Sequence, residues 1–275
     1  MQQKSEPVER QGSMGLVRGR RENDVAILTL SSPASRNALS LAMLDALGAA
    51  VAEISADPTV AAAIITAEGP VFSAGHDLKE LTRHRDDPDG GRGFFELTMT
   101  RCAAVMQAIV HSPKPFIAAV QGTATAAGCQ LVASVDLAVA SRDAKFCTPG
   151  VNIGLFCSTP MVALSRNVPR KRAMEMLLLG ELIDAEAAAD YGLVNRVVAA
   201  DQVMAEALAL AERIASKSRL TMAIGKEAFY RQAEMPLADA YTYAARVMVE
   251  NMLARDAAEG IGAFLEKRSP VWTGE

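Results

Sequence analysis

Residues that ligate metals or form disulfides are scarce in this chain, which has four cysteines and three histidines among 275 residues. Cys102, Cys129, Cys147 and Cys157 stand singly among apolar or small neighbours, without the pairing of a zinc site or the density of a disulfide framework. They read as core thiols in a reducing compartment. His76, His84 and His111 have no metal spacing, so no metal is expected. The formal net charge is only −4, which removes any overall electrostatic case for nucleic acid. No apolar run reaches the roughly 18 residues of a membrane span. Residues 1–14 contain Glu6 and Glu9 and lack the apolar segment of a secretory or organellar presequence. They are read as a flexible tail, and the location as cytoplasmic rather than the mitochondrial matrix.

Apolar bulk is plentiful. Half of the residues are hydrophobic and 22% are charged, enough for a substantial core in one large domain, or one domain with a helical appendage. Gly15–Arg20 and Val25–Leu30 predict a hairpin around Glu22-Asn23-Asp24. Ser40 precedes a predicted helix with Leu41, Leu44, Leu47, Val51 and Ile54 on its apolar face. Further strands are predicted at Ala61–Thr66, Phe116–Val120, Val135–Ala140 and Asn195–Val198, with a helix from Phe94 to Ile109. Arg83–Gly93, charged and punctuated by Gly and Pro, predicts a solvated mobile loop. From Asp201 the pattern is helical to near Lys267. Strands alternating with helices indicate an α/β core with largely parallel pairing.

Two of these strands run into turns of small residues. One is Phe72-Ser73-Ala74-Gly75-His76-Asp77-Leu78-Lys79-Glu80. The other passes Gln121-Gly122 into a helix opening near Ala126–Gly128, which carries Leu131, Val132 and Val135 inward. A helix N-terminus presents unpaired N–H groups and partial positive charge, and small residues let a ligand approach them, so such a turn can hold an oxyanion. With Arg36-Asn37-Ala38-Leu39 before them and Phe264-Leu265-Glu266-Lys267-Arg268 after them, the two turns resemble the paired signature of the crotonase superfamily, the enoyl-CoA hydratase/isomerase proteins. The resemblance runs from about Gly15 to Trp272.

That resemblance implies a crotonase-like ββα spiral over residues 15–200 and a C-terminal helical trimerisation region over 201–275, assembled as a homotrimer or a dimer of trimers. It implies an acyl-CoA substrate, with coenzyme A as part of the thioester and no permanently bound cofactor. The backbone N–H groups of His76 and Ala127 would form the oxyanion hole, with Gly128 immediately after. The family usually has Gly at the second position, and alanine retains the N–H. Arg36, Ala38, Ala74, His76, Asp77, Leu78, Lys79, Ala127, Gly128, Phe264 and Lys267 are the implied substrate and CoA contacts, with Asp77 shaping the turn. Met174, Met176, Leu177 and Leu178 read as core or as acyl-pocket wall.

The hydratase branch uses two glutamates to position water and move its proton. Their positions are occupied here by Gln130 and Gly150, neither of which carries a carboxylate. Gln130 can orient water but is not an ordinary proton acceptor. The expectation is therefore an acyl-CoA-binding family member with a backbone oxyanion hole and reduced or altered hydratase chemistry. The alternatives are a noncatalytic acyl-CoA-binding or regulatory protein, or a different CoA-thioester reaction. Glutamates introduced at both positions are expected to raise hydration.

Overall fold

The computed structural model describes residues 15–275, so the expected tail at 1–14 lies outside the described residues. Strands β1 (Val17–Glu22) and β2 (Val25–Leu30) pair antiparallel, as the sequence predicts. Asn23 supplies the φ of 52° that their tight turn demands. The remaining strands are β3 (Ala62–Ala67), β4 (Val71–Ser73), β5 (Phe116–Val120), β6 (Thr123–Thr125), β7 (Leu137–Ser141), β8 (Lys145–Cys147), β9 (Ile183–Asp184) and β10 (Arg196–Val198). They form a six-stranded sheet in the order β1-β2-β3-β5-β7-β10 and a four-stranded sheet in the order β4-β6-β8-β9.

Successive strands divide between the two sheets. The chain passes from β3 to β4, from β5 to β6 and from β7 to β8, and helices follow each pair. This is the ββα spiral that the family resemblance implies. From β2 onward the larger sheet is parallel, and its central strands β3 and β5 are buried on both faces, which is why AAIITA and FIAAV read as unbroken apolar runs. Ala63, Ile65, Phe116, Ala118 and Val120 face the main core with α1 (Leu41–Ala56) and α3 (Arg92–His111). Ala62, Ile64, Ile117 and Ala119 face the other way, onto Val203, Ala207, Leu210 and Ala211 of α8 (Val203–Ala215). Ser40 caps α1 by accepting from Met43 N. Met43 completes the buried face there, whereas Leu41 is half-exposed.

The four-stranded sheet escapes sequence reading because its strands are two or three residues long, too short to show a period. The predicted loop at Arg83–Gly93 is mostly exposed and irregular, with one short 3-10 turn inside it. It follows α2 (Leu78–Arg83) as a 3-10 turn over His84–Asp86 and leads directly into α3. Asp89 accepts from the N–H groups of Gly91 and Gly93, and His84 stacks on Phe94 with ring centroids 3.6 Å apart. Side chains thus satisfy the backbone that Gly and Pro left irregular.

The next helices are α4 (Ala127–Ser134), α5 (Ser158–Asn167), α6 (Arg170–Leu179) and α7 (Ala185–Asp190). After α8 come α9 (Arg219–Gln232), α10 (Leu237–Leu253) and α11 (Arg255–Glu266). The buried residue of α9 is a lysine, Lys226. Its Nζ donates to Ile109 O, Lys114 O and Asp136 Oδ2 at 2.9, 2.9 and 2.7 Å. Asp136 also accepts from Phe116 N and Tyr230 OH. Burial pushes the Lys226 ammonium below its ordinary value, and the Asp136 carboxylate opposes that shift. All the ammonium's donors are used, so one ion pair fastens α9 to the start of β5. Removing one partner of a buried pair leaves the other uncompensated. Lys226→Ala should therefore lose about 3–5 kcal/mol of stability, read from urea unfolding.

Candidate functional site

Parallel pairing of β4 with β6 places Val71 opposite Thr123 and Ser73 opposite Ala124. The turns that leave these strands consequently meet at one sheet edge. Gly75, at φ 84°, lies so close to the second turn that a Cβ there would stand 2.8 Å from Ala126 Cβ and 3.1 Å from Ala127 N. Gly128 backs onto β4, where an added Cβ would come within 2.4 Å of Ser73 O. Ala126 adopts φ 50° and ψ −119°, an unusual conformation for a residue with a Cβ, and donates to Cys147 O on β8.

The Arg36–Leu39 segment pins the first turn. Ala74 N donates to Arg36 O at 3.0 Å, and Leu39 N donates to Gly75 O at 2.7 Å. Asn37 is fully buried, with φ 51°, and its amide donates to Glu68 O and Val71 O while accepting from Ser32 N. Ser73 Oγ donates to Asn37 O. Sequence reasoning gave Asn37 and Ser73 no role. The available signal was an asparagine between Arg36 and Ala38 just before a helix, since asparagine tolerates the left-handed backbone and bonds the main chain.

Among the described residues, neither His76 N nor Ala127 N donates to an acceptor in the chain. The His76 ring lies with Nδ1 3.3 Å from Leu39 O. A carbonyl can only accept, so Nδ1 carries the hydrogen and Nε2 presents a lone pair, which is sealed and unpartnered. Burial lowers the imidazole's pKa below its ordinary value, favouring the neutral ring. Asp77 accepts from Lys79 N and Glu80 N and so caps α2, consistent with a turn-shaping role. Glu80 accepts from Leu41 N at 3.0 Å.

Gln130 is buried on α4, with Oε1 3.9 Å from Cys102 Sγ. Gly150 lies in a 3-10 turn over Pro149–Ile153, and its carbonyl accepts from Leu155 N. A Cβ at 150 would stand 2.8 Å from Leu155 O and 2.9 Å from Cys157 Sγ. Position 150 is thus closed by packed backbone and a thiol, and a glutamate there has no ready space. All four cysteines are free and buried. Burial pushes the Cys102 and Cys147 thiols up to about 12 and about 11, and also raises Cys129 and Cys157. These are protonated packing groups rather than ready nucleophiles.

Of the residues implied as substrate contacts, the fold brings together Arg36, Ala38, Ala74, His76, Asp77, Leu78, Lys79, Ala127 and Gly128. Arg36, Leu78 and Lys79 are exposed, and Ala38, Ala127 and Gly128 are buried. Phe264 and Lys267 lie at the end of α11, which packs on α9 and α10. Phe264 is 81% exposed and stands off the chain's own surface. Among the described residues, no cluster of three side chains could hold a metal, and no helix is long and apolar enough to cross a membrane.

The family model described as enoyl-CoA hydratase/isomerase matches residues 20–275. The chain is 49% identical to enoyl-CoA hydratase domain-containing protein 3, mitochondrial, of Rattus norvegicus, over 92% of its own length and 83% of the relative's. It resembles a solved enoyl-CoA hydratase of Mycobacterium smegmatis with 50% identity and a TM-score of 0.89, covering 94% of this chain and 98% of the other. The solved human enoyl coenzyme A hydratase domain-containing protein 3 gives 47% identity and a TM-score of 0.89, covering 94% and 100%. Four further vertebrate relatives share the rat protein's name, including the word mitochondrial. These names overturn the expected cytoplasmic location. That expectation rested on the composition of residues 1–14, and neither free thiols nor a mild negative charge separates one reducing compartment from another.

The crowding at position 150 changes what restored carboxylates can do. Gly150→Glu should lose about 1–3 kcal/mol of stability through overpacking, whereas Gln130→Glu, close in volume, should fold normally. Thermal unfolding of both variants checks this difference.

Proposed function

Because the chain belongs to the enoyl-CoA hydratase/isomerase family, we propose that it binds acyl-CoA thioesters and polarises the thioester carbonyl at a backbone oxyanion hole made by His76 and Ala127. The observation that carries this reading is the convergence of two unpartnered amides at the edge shared by β4 and β6. As negative charge develops on the thioester oxygen, each donor strengthens its bond, and one such donor is worth about 3–4 kcal/mol in a transition state. The amide is what matters at position 76. The exposed cations Arg36 and Lys79 flank the first turn, where they suit the phosphates or adenine of CoA. No metal is needed for this chemistry.

Hydration also needs a group that takes and returns a proton. Gln130 cannot do so, and Gly150 is walled off by Leu155 O and Cys157 Sγ. The proposed protein is therefore a CoA-thioester binder and activator with weak hydratase turnover. A different CoA-thioester reaction, or acyl-CoA binding without catalysis, draws on the same observation. The mitochondrial location in the relatives' names comes to this chain as part of the proposal. Calorimetry with nonhydrolysable short-, medium- and long-chain acyl-CoA analogues should show binding, while crotonyl-CoA is hydrated slowly. Failure of every analogue to bind would remove the reading.

We also propose a homotrimer or a dimer of trimers. Two separate apolar faces support it. One lies on α10 and α11, where Leu237, Leu253 and Phe264 are 75%, 76% and 81% exposed. The other lies on and around α6, where Met174, Leu178 and Leu182 face outward and Lys171, Arg172, Met174, Glu175 and Leu178 line a surface hollow of about 630 Å³. Met174 and Leu178 thus depart from the expected core, whereas Met176 and Leu177 are buried. Distinct faces that join head to tail form a ring when the rotation between copies closes, and burying them removes apolar area from water. Light scattering should give about three or six times the 29.1 kDa chain mass, and a stable monomer at micromolar concentration would reject the assembly.

A further inference from the structure

Gln130 stands three residues from Ala127 on α4, and residues so spaced are neighbours on one helix face. Only 4% of the residue is exposed. Its Oε1 is turned to Cys102 Sγ, 3.9 Å away, a weak donor. Its Nε2 has no acceptor among the described residues. The side-chain polar atoms that are both sealed and unpartnered there are His76 Nε2 and Gln121 Oε1. The Gln130 amide nitrogen is not one of them, so it is not fully sealed, and helical side chains tilt toward the helix N-terminus, where Ala127 stands. A nearly buried carboxamide with free donors is costly unless something accepts from it.

Three donors therefore gather at the positive end of α4, namely His76 N–H, Ala127 N–H and the Gln130 amide. The acids nearest in sequence are engaged elsewhere, since Asp77 caps α2 and Glu80 holds Leu41 N. Resting on the acyl-CoA reading, we propose that Gln130 selects acyl-CoA thioesters with a proton-free oxygen on the third acyl carbon, as in a 3-oxoacyl or malonyl-type group. With the thioester oxygen at His76 and Ala127, an oxygen on the third carbon can turn to the same side and accept from Gln130 Nε2. A saturated acyl chain offers that amide nothing. A 3-hydroxyl can accept as well, but it must also find an acceptor for its own proton among groups that only donate, so it is held less well. A carboxylate is the stronger acceptor of the two classes because its bond is charge-assisted. A glutamate at 130 would repel it.

Calorimetry on the full chain with butyryl-CoA, acetoacetyl-CoA and malonyl-CoA tests the selection. Acetoacetyl-CoA and malonyl-CoA should bind at least about tenfold tighter than butyryl-CoA, with malonyl-CoA tightest. Gln130→Met, checked for folding by circular dichroism, should bring both ratios to about one. Gln130→Glu should turn the site against malonyl-CoA. A preference for acetoacetyl-CoA alone assigns the ketone class, and one for malonyl-CoA alone the carboxylate class. Equal affinities in the unmodified protein, or a preference that survives Gln130→Met, overturn the proposal while the acyl-CoA reading stands. Failure of all three thioesters to bind overturns both. If Gln130→Met does not fold, the unmodified protein's ratios and the Gln130→Glu inversion decide the matter.

Discussion

Strands β4 and β6 run parallel with Ser73 opposite Ala124, so both chains leave the smaller sheet at one edge and their next backbone amides share a small volume. The candidate site depends on that alignment. It requires close approach, because Gly75 lies against Ala126 and Gly128 lies against Ser73 at distances that leave no room for a Cβ. It also requires Ala126 to hold a φ of 50°, with its N–H fixed on Cys147 O. Such local strain persists only when the surroundings over-determine it. Here they do so through β6–β8 pairing on one side and the Asn37–Ser73 bonds on the other.

Buried polar groups hold this frame at two places, and both are fully bonded. Asn37 ties the Arg36–Leu39 segment to the connection between β3 and β4 and to β4 itself. Lys226 and Asp136 tie the C-terminal helices to the strand that leads into the second turn. A satisfied buried network can cost little and still specify one arrangement. The thiols have a different part. Their burial keeps them protonated, and Cys157 occupies the space into which a side chain at 150 would grow. Position 150 and its neighbours therefore form one packed unit. The absence of a carboxylate there is matched by the surrounding structure rather than being a single exchange in an otherwise unchanged pocket.

Donors without a proton acceptor change the chemistry that the family frame can support. Polarising a thioester needs only amides in the right place, whereas adding water needs proton traffic as well. The acids near the turn are committed to helix caps, and Gln130 carries a carboxamide, which is no ordinary proton acceptor. The frame and the acid/base inventory are thus separable, and family membership constrains the first more tightly than the second.

The sequence by itself determined the hairpin, β5 to the residue, the cap at Ser40, the helical C-terminal stretch and the family motifs. These features are local, written in apolar periodicity, in turn residues and in short patterns of small side chains. It also located the substitutions Gln130 and Gly150. Composition does not supply the compartment, because the acidic, apolar-poor residues 1–14 suggest the cytoplasm and the relatives' names say mitochondrial. Tertiary structure alone decided that Asp89 bonds the Gly91 amide and His84 stacks on Phe94, that a second sheet of very short strands exists, and that Met174 and Leu178 face outward. It alone brought Gly75 against Ala127 and filled the space beside Gly150. Those facts depend on contacts between residues far apart in the chain, and no local pattern records which distant backbone will occupy the space beside a glycine.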